Sequence, residues 1–282
     1  MKNMIQADLY RLIKSKAFYF CIFFILFLAI LGASTAQVVS IGQGTEIDLY
    51  SNASFIEKSS HMTTQEIYDL DTSGYRELVL SCEDYDFDKD YMSNNVNLYY
   101  AMIFMGVLII ASDFSNSCIK NTLSSAISRK KYFLSKFVFM ALACCGIVFV
   151  SNYTFFAANH IFNGGVISST FGAVTKMSLM QLPEAIAFSA ILSAMAFVAK
   201  RTAIFNGISI PFVIVGQLLL SLAAFTLKIK EKYLVYELQT MMSKLIHDPS
   251  SAYLRNAYLV CAAIVAFCAA VGWAAFRKSE IK

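Results

Sequence analysis

Six apolar stretches, roughly 17 to 38, 96 to 112, 134 to 158, 178 to 199, 202 to 227 and 256 to 276, dominate this 282-residue chain and leave it few ways to fold. A hydrocarbon layer about 30 Å thick takes about 20 helical residues to cross, and inside it every backbone N–H and C=O must find a partner within the protein. The second stretch is short from Val96 to Ser112, but no charge occurs between Asp90 and Asp113, so it can extend outward. The fifth, Thr202 to Leu227, has no charge at all. The pattern predicts an all-α membrane protein with six transmembrane helices, organised as one transmembrane domain over residues 1–282.

Composition agrees: 57% of residues are hydrophobic and 15% charged, against about 25% charged in soluble domains. The formal charge of +4 is divided by loop. Residues 39–95 hold three Lys/Arg against twelve Asp/Glu, net −9, so the rest carries +13. This argues against a nucleic-acid binder, whose basic residues would gather on one solvated face. The basic residues flank alternate stretches: Lys2, Arg11, Lys14 and Lys16 before the first, Lys120, Arg129, Lys130, Lys131 and Lys136 after the second, Lys200 and Arg201 after the fourth, and Arg277, Lys278 and Lys282 at the end. The positive-inside rule therefore expects cytoplasmic N- and C-termini. The N-terminus also imitates a signal peptide, with small residues Ser34 and Ala36 after its apolar run. That run is about 22 residues against 7 to 15 for a signal core, so it is expected to remain in place.

Three segments outside the spans have their own character. In residues 1–16, Ile5, Leu9, Leu12 and Ile13 recur at helical spacing opposite Lys2, Asp8, Arg11 and Lys14, as in a short amphipathic helix lying in the membrane interface. A plain extension of the first span is the alternative. Residues 39–95 are read as a partly helical outer insertion, acidic throughout. In 228–255, Leu234, Leu238, Met241, Met242 and Leu245 mark an outer interfacial or re-entrant helix over Tyr233 to Ile246, ended before Pro249.

Residues suited to catalysis are scarce. No GxxxxGK[ST] run could hold a nucleotide, His61, His160 and His247 belong to no HExxH, and no serine stands in a GxSxG elbow. Five of seven cysteines (Cys21, Cys144, Cys145, Cys261, Cys268) lie in apolar runs as small hydrophobes. The expectation is a protein that is no enzyme and holds no cofactor or metal. Glu184 is the one carboxylate inside a span, beside Pro183. It is either a substrate or proton contact or a group that meets water one turn inside the outer headgroups. Small residues recur every four positions at Ala262, Ala266, Ala270 and Ala274, and at Ala185, Ser189 and Ser193, marking faces of close helix approach, within the chain or between copies.

The most informative loop follows the second span. Across 114–131, Ile119, Leu123, Ala126 and Ile127 form an apolar edge at helical spacing, with Ser115 or Asn116 to cap its start and Arg129 to Lys131 as its basic end. Such an edge must be buried against lipid or a partner groove.

Asp113-Phe114 leaving span two, then Ile119-Lys120-Asn121, Ser124-Ser125 and Ser128-Arg129, resemble the membrane-spanning subunits of type 2 ABC exporters. Ser117 and Cys118 stand where such subunits commonly have Gly then Thr or Ser, and residues 39–95 are longer than the usual outer connection. Enlarged outer segments are common among antimicrobial-peptide resistance and bacteriocin-immunity permeases of Gram-positive bacteria. The resemblance implies an elbow helix at 1–16 and a coupling helix at 114–131, which docks on a separate ABC ATPase through Asp113, Ile119, Lys120, Leu123, Ile127 and Arg129. It further implies ATP and magnesium on that partner, a second permease subunit (identical or related), and a bacterial cell membrane. The −9 insertion suits a cationic amphipathic peptide as substrate, with another amphipathic substrate, or lipid, drug or sodium export, as the alternatives. A non-transporting immunity or sensor protein that binds such a peptide is the alternative.

Overall fold

The computed structural model describes residues 2–39, 87–115, 119, 127–163, 169–226, 231–247 and 249–277. Among them the only regular secondary structure is helix. The elements are α1 (Lys2–Lys14), α2 (Lys16–Val39), α3 (Phe87–Asn94), α4 (Asn97–Ser115), α5 (Arg129–Asn163), α6 (Phe171–Ala199), α7 (Thr202–Thr226), α8 (Glu231–Leu234), α9 (Leu238–Ile246) and α10 (Ser251–Arg277). Five of these, α2, α4, α5, α6 and α10, are long and apolar enough to cross a membrane. In α7 the stretch Thr202–Gly216 is a shorter apolar helix.

The chain divides into two compact units. The first comprises Met1–Ile25, Ser93–Val150 and Met177–Lys282, and the second Leu26–Met92 and Ser151–Lys176. In the second unit Tyr91 stacks on Phe155 at 3.8 Å between ring centroids, and its hydroxyl meets Ser151 Oγ at 3.0 Å. There the buried Asp88 carboxylate accepts the Ser169 amide at 2.8 Å. Of the acidic insertion 39–95, residues 40–86 lie outside the described residues.

Within the first unit α4 and α6 form the centre, with 61% of each apolar window buried against 22% for α10. Lipid is as apolar as a leucine side chain, so helices inside it are held by tight packing and polar contacts more than by escape from water. Both devices are present. At Gly106 of α4 an added Cβ would lie 2.8 Å from Phe205 Cζ of α7, and at Gly272 of α10 it would lie 3.4 Å from the Ala194 Cα of α6. The small ridge of α6, Ala185, Ser189 and Ser193, is buried in the bundle. That of α10 is not: Ala262, Ala266, Ala270 and Ala274 are exposed, while Ala257, Cys261, Cys268, Gly272 and Phe276 face inward.

The helix limits refine the expected ones for stated reasons. α1 is a separate helix, broken from α2 at Ser15, rather than an extension of it. The basic run Arg129 to Lys131 begins α5 instead of ending a loop helix, because Ser128 caps α5: its hydroxyl accepts the Lys131 amide at 3.4 Å and its carbonyl the Tyr132 amide at 3.0 Å. The single helix expected over Tyr233 to Ile246 is split at Glu237, whose extended backbone (φ −67°, ψ 143°) and carboxylate cap α9 through the Gln239 and Thr240 amides. The apolar edge of α9, with Met241 and Leu245, packs on Ala187 of α6 and on Ala257 and Cys261 of α10. Between α6 and α7 only Lys200 and Arg201 intervene, and Lys200 takes a left-handed φ of 53° as its amide closes on the Ala196 carbonyl at 3.1 Å.

Candidate functional site

Two polar centres are buried in the first unit. The larger joins α1, α4 and α5. Asp113, 3% exposed in the last turn of α4, receives Arg11 from α1 on Oδ1, and on Oδ2 both the Tyr132 hydroxyl at 2.6 Å and Lys136 Nζ at 2.6 Å from α5. Lys136, 2% exposed, also bonds Asp8 Oδ1 at 2.7 Å, and Arg11 lies 3.7 Å from that same oxygen. Two acids and two bases thus close a neutral set. Neutrality matters because an uncompensated charge taken from water costs several kcal/mol. Burial by itself would lower the Arg11 pKa, but the charge of Asp113, its hydrogen bond and the charge of Asp8 together raise it above the ordinary value.

The α4 helix is widened just before this cluster, with a π turn over Val107–Ala111 that shifts the register of its final turn. A cavity of about 250 Å³ lies here, lined by Asp8, Arg11, Ser15, Leu108, Ser112 and Phe139 among others.

Both stems of the 116–128 loop are fastened to further helices. On the α4 side, the Ser115 hydroxyl accepts the Thr202 amide at 3.1 Å and meets Thr202 Oγ1 at 2.7 Å, so the end of α4 caps the start of α7. On the α5 side, Arg129 Nη1 donates to the Arg277 carbonyl at 3.0 Å, at the end of α10. Between them Phe114, Tyr132, Phe133, Phe197, Trp273 and Phe276 form an aromatic layer with neighbouring rings 4.8–6.5 Å apart. That layer draws in α4, α5, α6 and α10.

The residues singled out from sequence fall as follows. Asp113 is a hub of the charge cluster, Ile119 is buried in the main core, Ile127 packs against that core half-buried, and Arg129 ties α5 to α10. Lys120 and Leu123 lie outside the described residues, as does most of the helix expected over 114–131. Asp8, Arg11, Tyr132 and Lys136 were not singled out as a site, although a signal was present. Asp113 is the only acidic residue between Asp90 and Glu184, and Lys136 the only Asp, Glu, Lys or Arg between Lys131 and Lys176. An isolated acid and an isolated base, each at a span boundary, are natural partners.

The second centre is Glu184. It is 2% exposed, so its side chain is enclosed by protein. Its Oε1 accepts the Tyr99 hydroxyl at 2.7 Å, and that hydroxyl also lies 3.3 Å from the Leu238 carbonyl of α9. Near Pro183, the Met180 carbonyl takes the Tyr258 hydroxyl at 3.4 Å. Among the described residues no three His, Cys, Asp or Glu side chains are grouped so as to hold a metal ion.

Residues 88–282 match a family model described as "Protein of unknown function (DUF2705)", and the chain belongs to that family. No curated protein and no solved structure matches the chain.

Proposed function

We propose that this member of the DUF2705 family is the membrane-spanning permease subunit of an ATP-driven exporter of the ABC type. In this reading α7 supplies a sixth crossing, both termini are cytoplasmic in a bacterial cell membrane, and the chain has no ATPase site of its own. A separate ABC ATPase, holding ATP and magnesium, docks on the loop that follows α4. A second permease subunit completes the path, and an amphipathic substrate, a cationic peptide foremost, leaves through it.

The observation that supports this most is the way the two stems of the loop are bound. Asp113 and Ser115 on one side, and Arg129, Tyr132 and Lys136 on the other, connect it to α1, α7 and α10 through charged or capping contacts. A push on such a loop is delivered to several helices together, as a coupling element requires. A solvated connector would have no use for buried ion pairs at its base.

The test is affinity capture of the tagged full chain from its native host in mild detergent, followed by mass spectrometry. Recovery of an ABC ATPase, lost in Leu123→Asp while the chain remains in the membrane, is the expected result. Capture with a peptide or kinase and no ATPase would sink the exporter reading in favour of a non-transporting immunity or sensor protein.

A further inference from the structure

Packing gathers cations from several helices at one end of the first unit. Arg129, Lys130 and Lys131 open α5, Lys200 and Arg201 form the turn between α6 and α7, and Arg277 closes α10. The Thr202 amide on Ser115 holds the α6–α7 turn to the end of α4, and Arg129 holds the start of α5 to the Arg277 carbonyl. Phe197 of α6 lies 5.2 Å from Phe276 of α10, which places the third pair of ends together. All six cations are exposed except Lys200, which is half-buried.

The acids of this end do not answer them. Asp8 and Asp113 are taken up by Arg11 and Lys136 inside the bundle. Residues 114–131 hold no Asp or Glu and add Lys120, while 277–282 add Lys278 and Lys282 against Glu280 alone. Nine cations therefore meet one carboxylate in these segments, wherever that carboxylate lies. The acidic stretch ahead of α4 joins that helix at its other end, 19 residues and about 28 Å away.

Exposed apolar side chains begin directly beside the charges. Leu134 lies one turn beyond Lys130 on α5, Val198 in the last turn of α6 and Ile204 in the first turn of α7. A soluble anion would make no use of these side chains, and an acidic protein surface would set charged groups against them. An amphiphile with an anionic head satisfies both halves of the surface at once.

We propose that this end of the bundle binds anionic phospholipid, with headgroup phosphates on Lys130, Lys131, Lys200, Arg201 and Arg277 and acyl chains along Leu134, Val198 and Ile204. The site goes beyond the exporter reading, since binding lipid here needs no ATPase. Each Lys or Arg beside an anionic lipid surface raises affinity about fivefold.

The chain carries its own reporter. Trp273, the sole tryptophan, stands half-buried one turn before Arg277. The experiment reconstitutes the full chain in phosphatidylcholine vesicles and compares quenching of Trp273 by phosphatidylglycerol and by phosphatidylcholine, each dibrominated near the head of one acyl chain. Phosphatidylglycerol is expected to be preferred at least about fivefold at low salt, and less at high salt. In Lys130→Gln/Lys131→Gln/Arg277→Gln the preference should fall below about twofold. Quenching by brominated phosphatidylcholine should stay as in the parent, which also reports that the variant is folded and inserted. Equal quenching by the two lipids in the parent would leave these cations to a protein partner and overturn the proposal. So would a preference unchanged in the triple variant, or one abolished by millimolar inorganic phosphate at constant ionic strength, which would make soluble phosphate the ligand.

Discussion

Replacing Lys136 by methionine removes one charge from a set of four and keeps most of the side-chain volume. The wild-type cluster is neutral, with Asp8 and Asp113 opposed by Arg11 and Lys136. After substitution two carboxylates share Arg11, whose side chain is 43% exposed and already bonded to Asp113. Breaking a buried pair by deleting one partner costs about 3–5 kcal/mol. The lower end applies here, because Asp113 keeps Arg11 and the Tyr132 hydroxyl while Asp8 has lost its 2.7 Å contact. We therefore expect Lys136→Met to destabilise the chain by about 3 kcal/mol. Adding Asp8→Asn should restore neutrality and recover about 1–3 kcal/mol of that loss, so that the double variant is more stable than Lys136→Met alone. Denaturant titration of the purified chain in detergent micelles, followed by helical circular dichroism, measures all three variants. A Lys136→Met cost below about 1 kcal/mol, or a double variant equal to the sum of its singles, would refute the argument that charge balance holds this cluster together.

Gly106→Ala should destabilise the bundle by about 1–3 kcal/mol, since its Cβ would fall 2.8 Å from Phe205 Cζ, and Phe205→Leu in the same chain should recover part of it. The same unfolding assay checks this, and a neutral Gly106→Ala would show that the Phe205 ring moves aside freely. On α10, Ala266→Leu changes an exposed ridge and no internal contact face, so monomer stability should stay within about 0.5 kcal/mol. If the ridge is the seam with a second copy, cysteine cross-linking across Ala262 and Ala270 should form in the parent chain and disappear in Ala266→Leu. Cross-linking that persists would place the partner elsewhere.

Much of the fold was legible in the letters. Long uncharged runs specify membrane-length helices because a helix satisfies its own backbone, so α2, α4, α5, α6 and α10 follow from local sequence alone. The amphipathic pattern of α1 and the small-residue ridge of α6 are legible there too. The split at Glu237 and the start of α5 at Ser128 were missed because a capping side chain competes with helical spacing, and spacing was the signal read.

The sequence by itself determined most of the segments that are helical and apolar, and it singled out Asp113 and Glu184. Only the tertiary structure decided what answers each of them. Asp113 and Lys136 meet 23 positions apart and close on Asp8 and Arg11 from the other end of the sequence, while Glu184 finds the phenol of Tyr99. It also turned the alanine ridge of α10 outward and brought Glu237 to the wall of an aromatic cavity. The physical reason is range. Helix formation is settled by neighbours three and four residues away, whereas compensation of a buried charge depends on whichever side chain the packing of distant helices brings within 3 Å.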